Sequence, residues 1–202
     1  MDSVENLNLS INLNKSKINL SNMTELKEAN ITWNKKITGL EKCKKLEKLQ
    51  VWHFNHPDLK PFLELENITK LDLRTASIKN LEGISKLKKL KILMLGNCSR
   101  LKSIQEIETL ENLEELIIDT CSNISDYEKI KTFNKMSKFD LKNSKNIKSI
   151  QFLAKADRLK SIMIGPRMQV EDGDFRFIKN MHLEYFNVLP TYLHFLEPLF
   201  LV

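Results

Sequence analysis

The sequence is poor in the residues that break a chain or cross-link it. It contains 5 glycines, 5 prolines and 3 cysteines among 202 residues. So little glycine and proline excludes collagen-like tracts and long flexible linkers. The three cysteines, Cys43, Cys98 and Cys121, include no C-x-x-C pair, so they indicate neither a disulfide framework nor a zinc site.

Long apolar runs are also missing, and we expect no secretory leader. The first residues carry neither the positive charge nor the apolar stretch of a signal peptide. No apolar run approaches the roughly 20 residues that a transmembrane helix needs. The nearest, residues 192–202, is interrupted by His194, Glu197 and Pro198. We therefore expect no membrane partner and a reduced, cytoplasmic location.

Catalytic motifs are likewise absent from the sequence. There is no P-loop, G-x-S-x-G, H-E-x-x-H or G-x-G-x-x-G pattern. His53 and His56 form H-x-x-H, but no helix aligns them for a metal. The acidic residues around Gly173 lack the other oxygens of a calcium loop. We expect no enzymatic activity, cofactor or metal.

The charge is moderately basic and mixed. A net charge of +6 arises from 32 basic and 26 acidic residues, and the pI is about 9.1. The lysines are scattered, with dense runs at residues 35–36, 42–48 and 86–91. Such runs are typical of a solvated surface. Nucleic-acid binding through them remains an alternative hypothesis.

What the sequence does contain is an internal repeat. Leu90, Leu93, Leu95 and Cys98 fit the pattern L-x-x-L-x-L-x-x-N/C, and the pattern recurs along the chain. The second apolar position of the nine copies falls at residues 7, 29, 49, 71, 93, 116, 139, 162 and 186. This spacing predicts a single domain over residues 1–202, built of about nine repeats. Residues 1–12 would form an N-terminal repeat or cap, and 183–202 an atypical last repeat with an apolar cap.

The repeat also predicts local structure. Its L-x-L segment alternates with period two, which indicates a strand with apolar side chains on one face. After the ninth position the apolar spacing becomes about three, as in Ile78, Leu81, Ile84 and Leu87. This spacing favours a short α or 3-10 turn.

With this pattern the chain resembles the leucine-rich repeat family, in the short class of bacterial internalins and of the regulatory subunit of protein phosphatase 1. The resemblance implies an α/β solenoid, a curved horseshoe with a parallel sheet on its concave face and short α or 3-10 helices on its convex face. It also implies that the ninth position hydrogen-bonds the turning backbone, with Cys98 and Cys121 as ordinary substitutes for asparagine. A redox role for this pair is the minor alternative.

Family resemblance further implies that outward side chains of the strands bind a partner. We number the nine positions of each copy from its first leucine and expect positions three, five, seven and eight to face outward. The resulting candidate site comprises Trp33, Trp52, His53, Arg74, Ile92, Met94, Ile117, Asp119, Asp140, Lys142, Met163 and Tyr185. Both tryptophans fall in this set, on neighbouring copies, where exposed indoles are typical of binding hot spots. The alternative is that the indoles stack on each other and on Arg74. A second apolar patch is predicted at Ile92, Met94, Ile117 and Met163, with an exposed rim of Arg74, Asp119, Asp140 and Lys142.

These observations lead to three functional hypotheses. The first is a non-enzymatic module that docks a partner protein on its concave sheet, in its sharper form a bacterial inhibitor or immunity protein that occludes a toxin or effector. The second is a regulatory or targeting subunit of an enzyme such as a phosphatase, and the third is nucleic-acid binding. The apolar residues 192–202 are expected to act as a cap or as a self-association surface.

Overall fold

Nine parallel strands form one sheet in the computed structural model, which describes residues 3–9, 17–130 and 134–188. The strands follow one another in chain order, and we call each repeat a rung, numbered 1 to 9. Their bounds are β1 Asn6–Leu9, β3 Glu28–Thr32, β5 Lys48–Trp52, β6 Lys70–Arg74, β7 Ile92–Gly96, β8 Glu115–Asp119, β9 Lys138–Lys142, β10 Ser161–Ile164 and β11 Tyr185–Val188. A second sheet pairs β2, Ile18–Asn19, with β4, Ile37–Thr38.

The register of the sheet confirms the repeat alignment. Leu71 pairs with Leu93, which in turn pairs with Leu116, so equivalent residues of successive rungs lie side by side. The apolar residues at positions four and six point into one continuous core, where most are fully buried. A single rung cannot bury its own apolar edge, so stacking is what creates this core. The expected leucine-rich repeat solenoid is therefore confirmed.

The return segments of the later rungs contain short 3-10 helices. These are Leu40–Lys42, Lys60–Phe62, Ile84–Lys86, Gln105–Thr109, Tyr127–Lys129, Gln151–Lys155 and Arg176–Asn180. In the described part of the chain every helix is of this type, because apolar residues three apart lie above one another in a 3-10 turn. None of the helices described is long and apolar enough to cross a membrane. The apolar segment 192–202 lies outside the described residues.

A left-handed residue ends the strands of rungs 3 to 7. Position eight has a φ between 47° and 56° at His53, Thr75, Asn97, Thr120 and Asn143. Its amide N–H still donates to the next rung, for example from Thr75 to the Gly96 carbonyl at 2.8 Å. The left-handed turn therefore redirects the chain into the core without losing a hydrogen bond.

We expect Thr75→Asn to raise the free energy of unfolding by about 1 kcal/mol. A β-branched residue is strained at positive φ, whereas asparagine tolerates it and already occupies the same position at Asn97. Urea denaturation of both Thr75→Asn and the reverse change, Asn97→Thr, would measure the effect. The two variants should shift stability in opposite directions, and a shared direction would contradict the strain argument.

Candidate functional site

The outward side of the nine-stranded sheet carries the predicted site. Side chains at positions three, five and seven point away from the core because strand residues alternate between faces. We call this surface the concave face. Neighbouring strands lie about 4.8 Å apart, so equivalent side chains of successive rungs are in contact range.

The centre of the concave face is apolar. Ile92 and Met94 of β7 lie beside Ile117 of β8, and Met94 is in direct register with Ile117. All three side chains are half-buried. We call these three residues the apolar strip. Met163, which the sequence grouped with them, is separated from Ile117 by Asp140 on β9. The predicted patch is therefore divided in two.

Two buried carboxylates border the apolar strip. Asp72 lies in register with Met94, and Asp140 with Ile117. Asp72 accepts hydrogen bonds from Arg74 Nε at 2.6 Å, Arg74 Nη2 at 3.2 Å and Gln50 Nε2 at 2.9 Å. Asp140 was expected on an exposed rim, but it is only 4% exposed. Two lysines, two residues before and two residues after Asp140 on the same strand, lie next to it.

The lysines that lie next to Asp140 come from its own strand. Lys138 Nζ lies 3.6 Å and Lys142 Nζ 3.5 Å from Asp140 Oδ2. Both cations are at positions that flank the carboxylate on the same face of β9. Asp140 is thus part of a small charged cluster rather than a free acidic group.

Two glycines at position seven leave room for the neighbouring cations. A Cβ atom placed on Gly96 would lie 2.8 Å from Arg74 Cδ. One placed on Gly165 would lie 2.9 Å from Lys142 Cγ. The Arg74 side chain therefore lies against the Gly96 backbone, and the base of the Lys142 side chain lies against the Gly165 backbone.

Trp52 and Tyr185 are the exposed large apolar side chains among the described residues, at 38% and 43%. Trp52 lies at the end of β5, between Thr32 and Arg74 in register. Tyr185 lies on β11, where its hydroxyl oxygen accepts a hydrogen bond from Asn187 at 3.0 Å. Both residues lie on the concave face, as the sequence predicts. His53 is also exposed, at one of the left-handed turns.

Trp33 does not belong to this surface, and the predicted pair of outward indoles is wrong. Its ring packs edge-on against Phe54, with centroids 4.7 Å apart, and lies 6.0 Å from Phe62. Phe54 and Phe62 are fully buried and stack on each other at 4.8 Å. We call Trp33, Phe54 and Phe62 the aromatic cluster. Trp33 is at position eight but is not left-handed, so its side chain follows the turn towards the core.

Asp119, Thr120 and Asn143 form a small polar group at the end of β8, next to the apolar strip. Asp119 is half-buried and accepts hydrogen bonds from Thr120 Oγ1 at 2.8 Å and from Asn143 Nδ2 at 3.0 Å. Asp119 pairs in register with Gly96 of β7 on one side and with Lys142 of β9 on the other. Asp119 is therefore held in place by its neighbours at the rim of the apolar strip.

Opposite charges balance on the concave face. Its charged residues on the described strands are the cations Lys48, Lys70, Arg74, Lys138 and Lys142 and the anions Glu28, Asp72, Glu115, Asp119 and Asp140. The net charge of +6 is therefore carried elsewhere on the chain. A balanced surface lacks the positive field that attracts a phosphate backbone.

The lysine run at residues 42–48 is also paired with carboxylates. Lys44 lies 2.9 Å from Glu64, and Lys45 lies 2.6 Å from Glu25, each on a neighbouring rung. Exposed pairs of this kind contribute little to stability, but they do neutralise the run. This pairing disfavours the hypothesis of nucleic-acid binding through residues 42–48.

The ninth position forms a ladder along the turns. The Cys98 amide donates to Cys121 Sγ at 3.4 Å, and the Cys121 amide donates to Ser144 Oγ at 3.2 Å. Each side chain thus satisfies the backbone of the preceding rung, as the resemblance implies for this position. The hydrogen bond with Cys121 and burial together raise the pKa of the Cys98 thiol, and burial raises the pKa of Cys43.

All three cysteines are free and fully buried, so we expect them to react slowly with a thiol reagent. A fully buried thiol reacts only when the chain opens locally. Titration with an aromatic disulfide should proceed about a hundredfold more slowly in buffer than in concentrated urea. Rapid labelling of the native chain would show that the ladder is open to solvent.

Metal-ligating side chains do not cluster on this part of the chain. Within residues 3–9, 17–130 and 134–188, no three histidine, cysteine, aspartate or glutamate side chains come together in a way that could hold a metal ion. His56 lies near Asp58, with Nδ1 3.0 Å from the carboxylate, and this contact belongs to the loop before the 3-10 helix Lys60–Phe62.

Comparison with known proteins identifies the fold. No protein-family profile and no curated protein matches the sequence. Among solved structures, a leucine-rich repeat protein of Leptospira interrogans is 18% identical, with a TM-score of 0.64 over 92% of this chain and 55% of that chain. Internalin C2 of Listeria monocytogenes is 17% identical, with a TM-score of 0.61 over 87% of this chain and 78% of that chain.

A third structure shares the fold at lower similarity. The functional domain of InlJ from Listeria monocytogenes, described as including a cysteine ladder, is 14% identical, with a TM-score of 0.51 over 80% of this chain and 39% of that chain. This chain therefore spans little more than half of the Leptospira protein and less than half of the InlJ chain. At such identities the similarity shows the fold alone, which is the leucine-rich repeat solenoid of the internalin-like class.

Proposed function

We propose that this leucine-rich repeat solenoid binds another protein on its concave face and has no catalytic role of its own. The apolar strip is the observation that carries the proposal. Ile92, Met94 and Ile117 lie at the centre of the face, bordered by fixed charges of both signs. An apolar centre with a polar rim is the usual anatomy of a protein interface.

The dimensions of the sheet support a partner of protein size. Nine strands at about 4.8 Å spacing span about 40 Å. This length accommodates a standard interface of about 800 Å² on each side. Exposed Trp52 and Tyr185 lie towards opposite ends of the same face and extend the contact surface beyond the apolar strip.

The finer form of the proposal is a bacterial inhibitor or immunity protein that covers a toxin or effector in the cytoplasm. A broad binding face of balanced charge suits the occlusion of a surface. The three free thiols are typical of a compartment in which glutathione keeps cysteines reduced. If the partner is instead an enzyme whose activity is redirected rather than blocked, the regulatory hypothesis replaces this one.

Ile117→Asp tests the proposal, because it places a charge in the centre of the apolar strip. The full chain carrying an affinity tag would be used to capture partners from the native host. The substitution should weaken capture about tenfold or more, since it leaves an unpaired charge in a desolvated contact. Gln105→Asp is the matched control, because it introduces the same charge on the exposed helix Gln105–Thr109 of the convex side.

Circular dichroism would verify that both variants fold. A partner retained by Gln105→Asp and lost by Ile117→Asp supports docking on the concave face. A partner retained equally by both variants would contradict it. Measurement at two salt concentrations separates the remaining hypothesis, since nucleic-acid binding weakens steeply with salt and contact through the strip does not.

A further inference from the structure

A polar recess lies in the concave face beside the apolar strip. It has a volume of about 320 Å³ and spans the first four rungs, β1 to β6. Its floor is formed by the position-five residues Asn8, Asn30, Gln50 and Asp72. Its side is formed by position-three residues, among them Lys48 and Lys70. A recess of this size can take one or two side chains of a partner.

One positive charge of the recess has no counter-charge. Lys48 Nζ lies 2.6 Å from Glu28, and Asp72 is paired with Arg74. Lys70 is half-buried and forms no ion pair with any residue in the described ranges. An unpaired cation in a recess favours an anionic ligand, because a carboxylate would supply the charge-assisted hydrogen bond that the ammonium lacks.

The recess also contains an unpaired acceptor. Asn30 Oδ1 is buried and has no hydrogen-bond partner among the described residues. Buried acceptors of this kind are uncommon in folded proteins. A backbone N–H of a bound segment could satisfy it after a rotation of the amide. The recess therefore offers the Lys70 ammonium to a carboxylate and the Asn30 amide oxygen to a hydrogen-bond donor.

The apolar strip begins one strand away from Lys70. Lys70 is in register with Ile92, and Ile117 is one strand further. The separation between the lysine and the strip is therefore about 5 to 10 Å. An extended segment advances about 3.3 Å per residue, so two or three residues span that distance.

We propose that the recess takes an acidic side chain of the partner, whose carboxylate pairs with the Lys70 ammonium. An apolar side chain two or three residues away in the same segment contacts the apolar strip. The inference rests on the proposed function, because the same face must dock the partner. The partner is thus a protein with an exposed segment in which aspartate or glutamate lies close to a large apolar residue.

Selection of peptides on the full chain tests the inference. The probe is a phage-displayed library of random twelve-residue peptides. Enriched peptides should carry an acidic residue two or three positions from a large apolar one. Their affinity, measured by fluorescence polarisation, should fall about fivefold for Lys70→Gln, which corresponds to loss of one charge-assisted hydrogen bond. Lys86→Gln, an exposed lysine of the helix Ile84–Lys86, should leave the affinity unchanged.

A double-mutant cycle then assigns the contact. Replacing the acidic residue of the peptide by alanine should cost about fivefold on the wild-type chain and almost nothing on Lys70→Gln. Lys70→Glu should reject the acidic peptides altogether. Additive effects, or enriched peptides without an acidic residue, would overturn the inference.

The outcomes separate this inference from the proposed function. Peptides that are sensitive to Ile117→Asp but not to Lys70→Gln overturn the acidic subsite and leave concave docking intact. Peptides that are sensitive to neither bind elsewhere and count against both. If no peptide is enriched, a linear acidic segment is not the ligand, and the inference fails while capture from the native host still decides the proposed function.

Discussion

Replacing Trp33 with alanine should lower the free energy of unfolding by about 2 to 3 kcal/mol and leave partner affinity unchanged. The indole is half-buried and packs edge-on against Phe54 and Phe62. Removal of a large aromatic side chain from a core costs about 3 to 5 kcal/mol. The partial exposure of Trp33 reduces that figure. Urea denaturation followed by circular dichroism would measure the change.

The position of the aromatic cluster predicts how the variant unfolds. Trp33 belongs to rung 2, whereas Phe54 and Phe62 belong to rung 3 and its return segment. In a solenoid each rung is stabilised mainly by its neighbours. Loss of the indole should therefore release the first two rungs at lower urea than the rest. Hydrogen exchange should show reduced protection of β1 and β3 before that of β7.

Trp52→Ala is the matched control, since it removes the same side chain from the next rung. Trp52 is exposed, so its loss should change stability by no more than about 0.5 kcal/mol. On the proposed function it should instead weaken partner binding. Equal losses of stability in the two variants would contradict the different placements of the two indoles.

The strand register could be predicted from the sequence because it depends on few variables. A period-two apolar pattern fixes which side chains enter the core, and a constant repeat length fixes which residues pair. Leu7, Leu49 and Leu93 all lie at the same position of their rungs for this reason. Most outward residues follow from the same rule, including Trp52, Arg74 and Ile117.

The prediction for Trp33 is wrong because the rule assumes the same backbone in every rung. Position eight is left-handed in rungs 3 to 7 but not in rung 2, where the bulky Trp33 stands in place of histidine, threonine or asparagine. A second usable signal is present in the sequence. Phe54 occupies a ninth position where asparagine or cysteine is usual, and Phe62 follows in the same rung. Two large rings at that point need a third side chain to fill the space between rungs.

The burial of Asp140 is also beyond the repeat pattern. Alignment places the residue on the outward face, which is correct, and so predicts exposure. Its actual burial depends on the conformations of neighbouring side chains, among them Lys138 and Lys142, whose ammonium groups lie 3.6 and 3.5 Å from its carboxylate. Long flexible side chains adopt conformations that depend on their neighbours. The Lys142 side chain lies close to where a Cβ atom of residue 165 would be, and Gly165 leaves that space free. This neighbour effect can be seen only in the structure.

Arg74→Met should also destabilise the chain by about 2 to 3 kcal/mol, for a different reason. Asp72 is 5% exposed, and Arg74 provides two of its three hydrogen bonds. Loss of the arginine leaves a buried carboxylate whose remaining hydrogen bond, within the described part of the chain, comes from Gln50. Removal of one partner of a buried ion pair costs about 3 to 5 kcal/mol, and the 27% exposure of the arginine side chain lessens the effect here. Urea denaturation of the variant measures the loss.

Asp72→Asn in the Arg74→Met background separates the charge from the packing. If the cost arises from the unpaired carboxylate, the double variant should recover more than half of the lost stability, since the neutral amide no longer needs a cation. Lys142→Met supplies the comparison, because Asp140 keeps Lys138 at 3.6 Å. This variant should lose only about 1 kcal/mol of the free energy of unfolding. No recovery in the double variant would mean that Arg74 stabilises the sheet through its contact across Gly96 rather than through its charge. In that case the Asp72 border of the apolar strip is held by packing, and a partner could approach it without having to displace an ion pair.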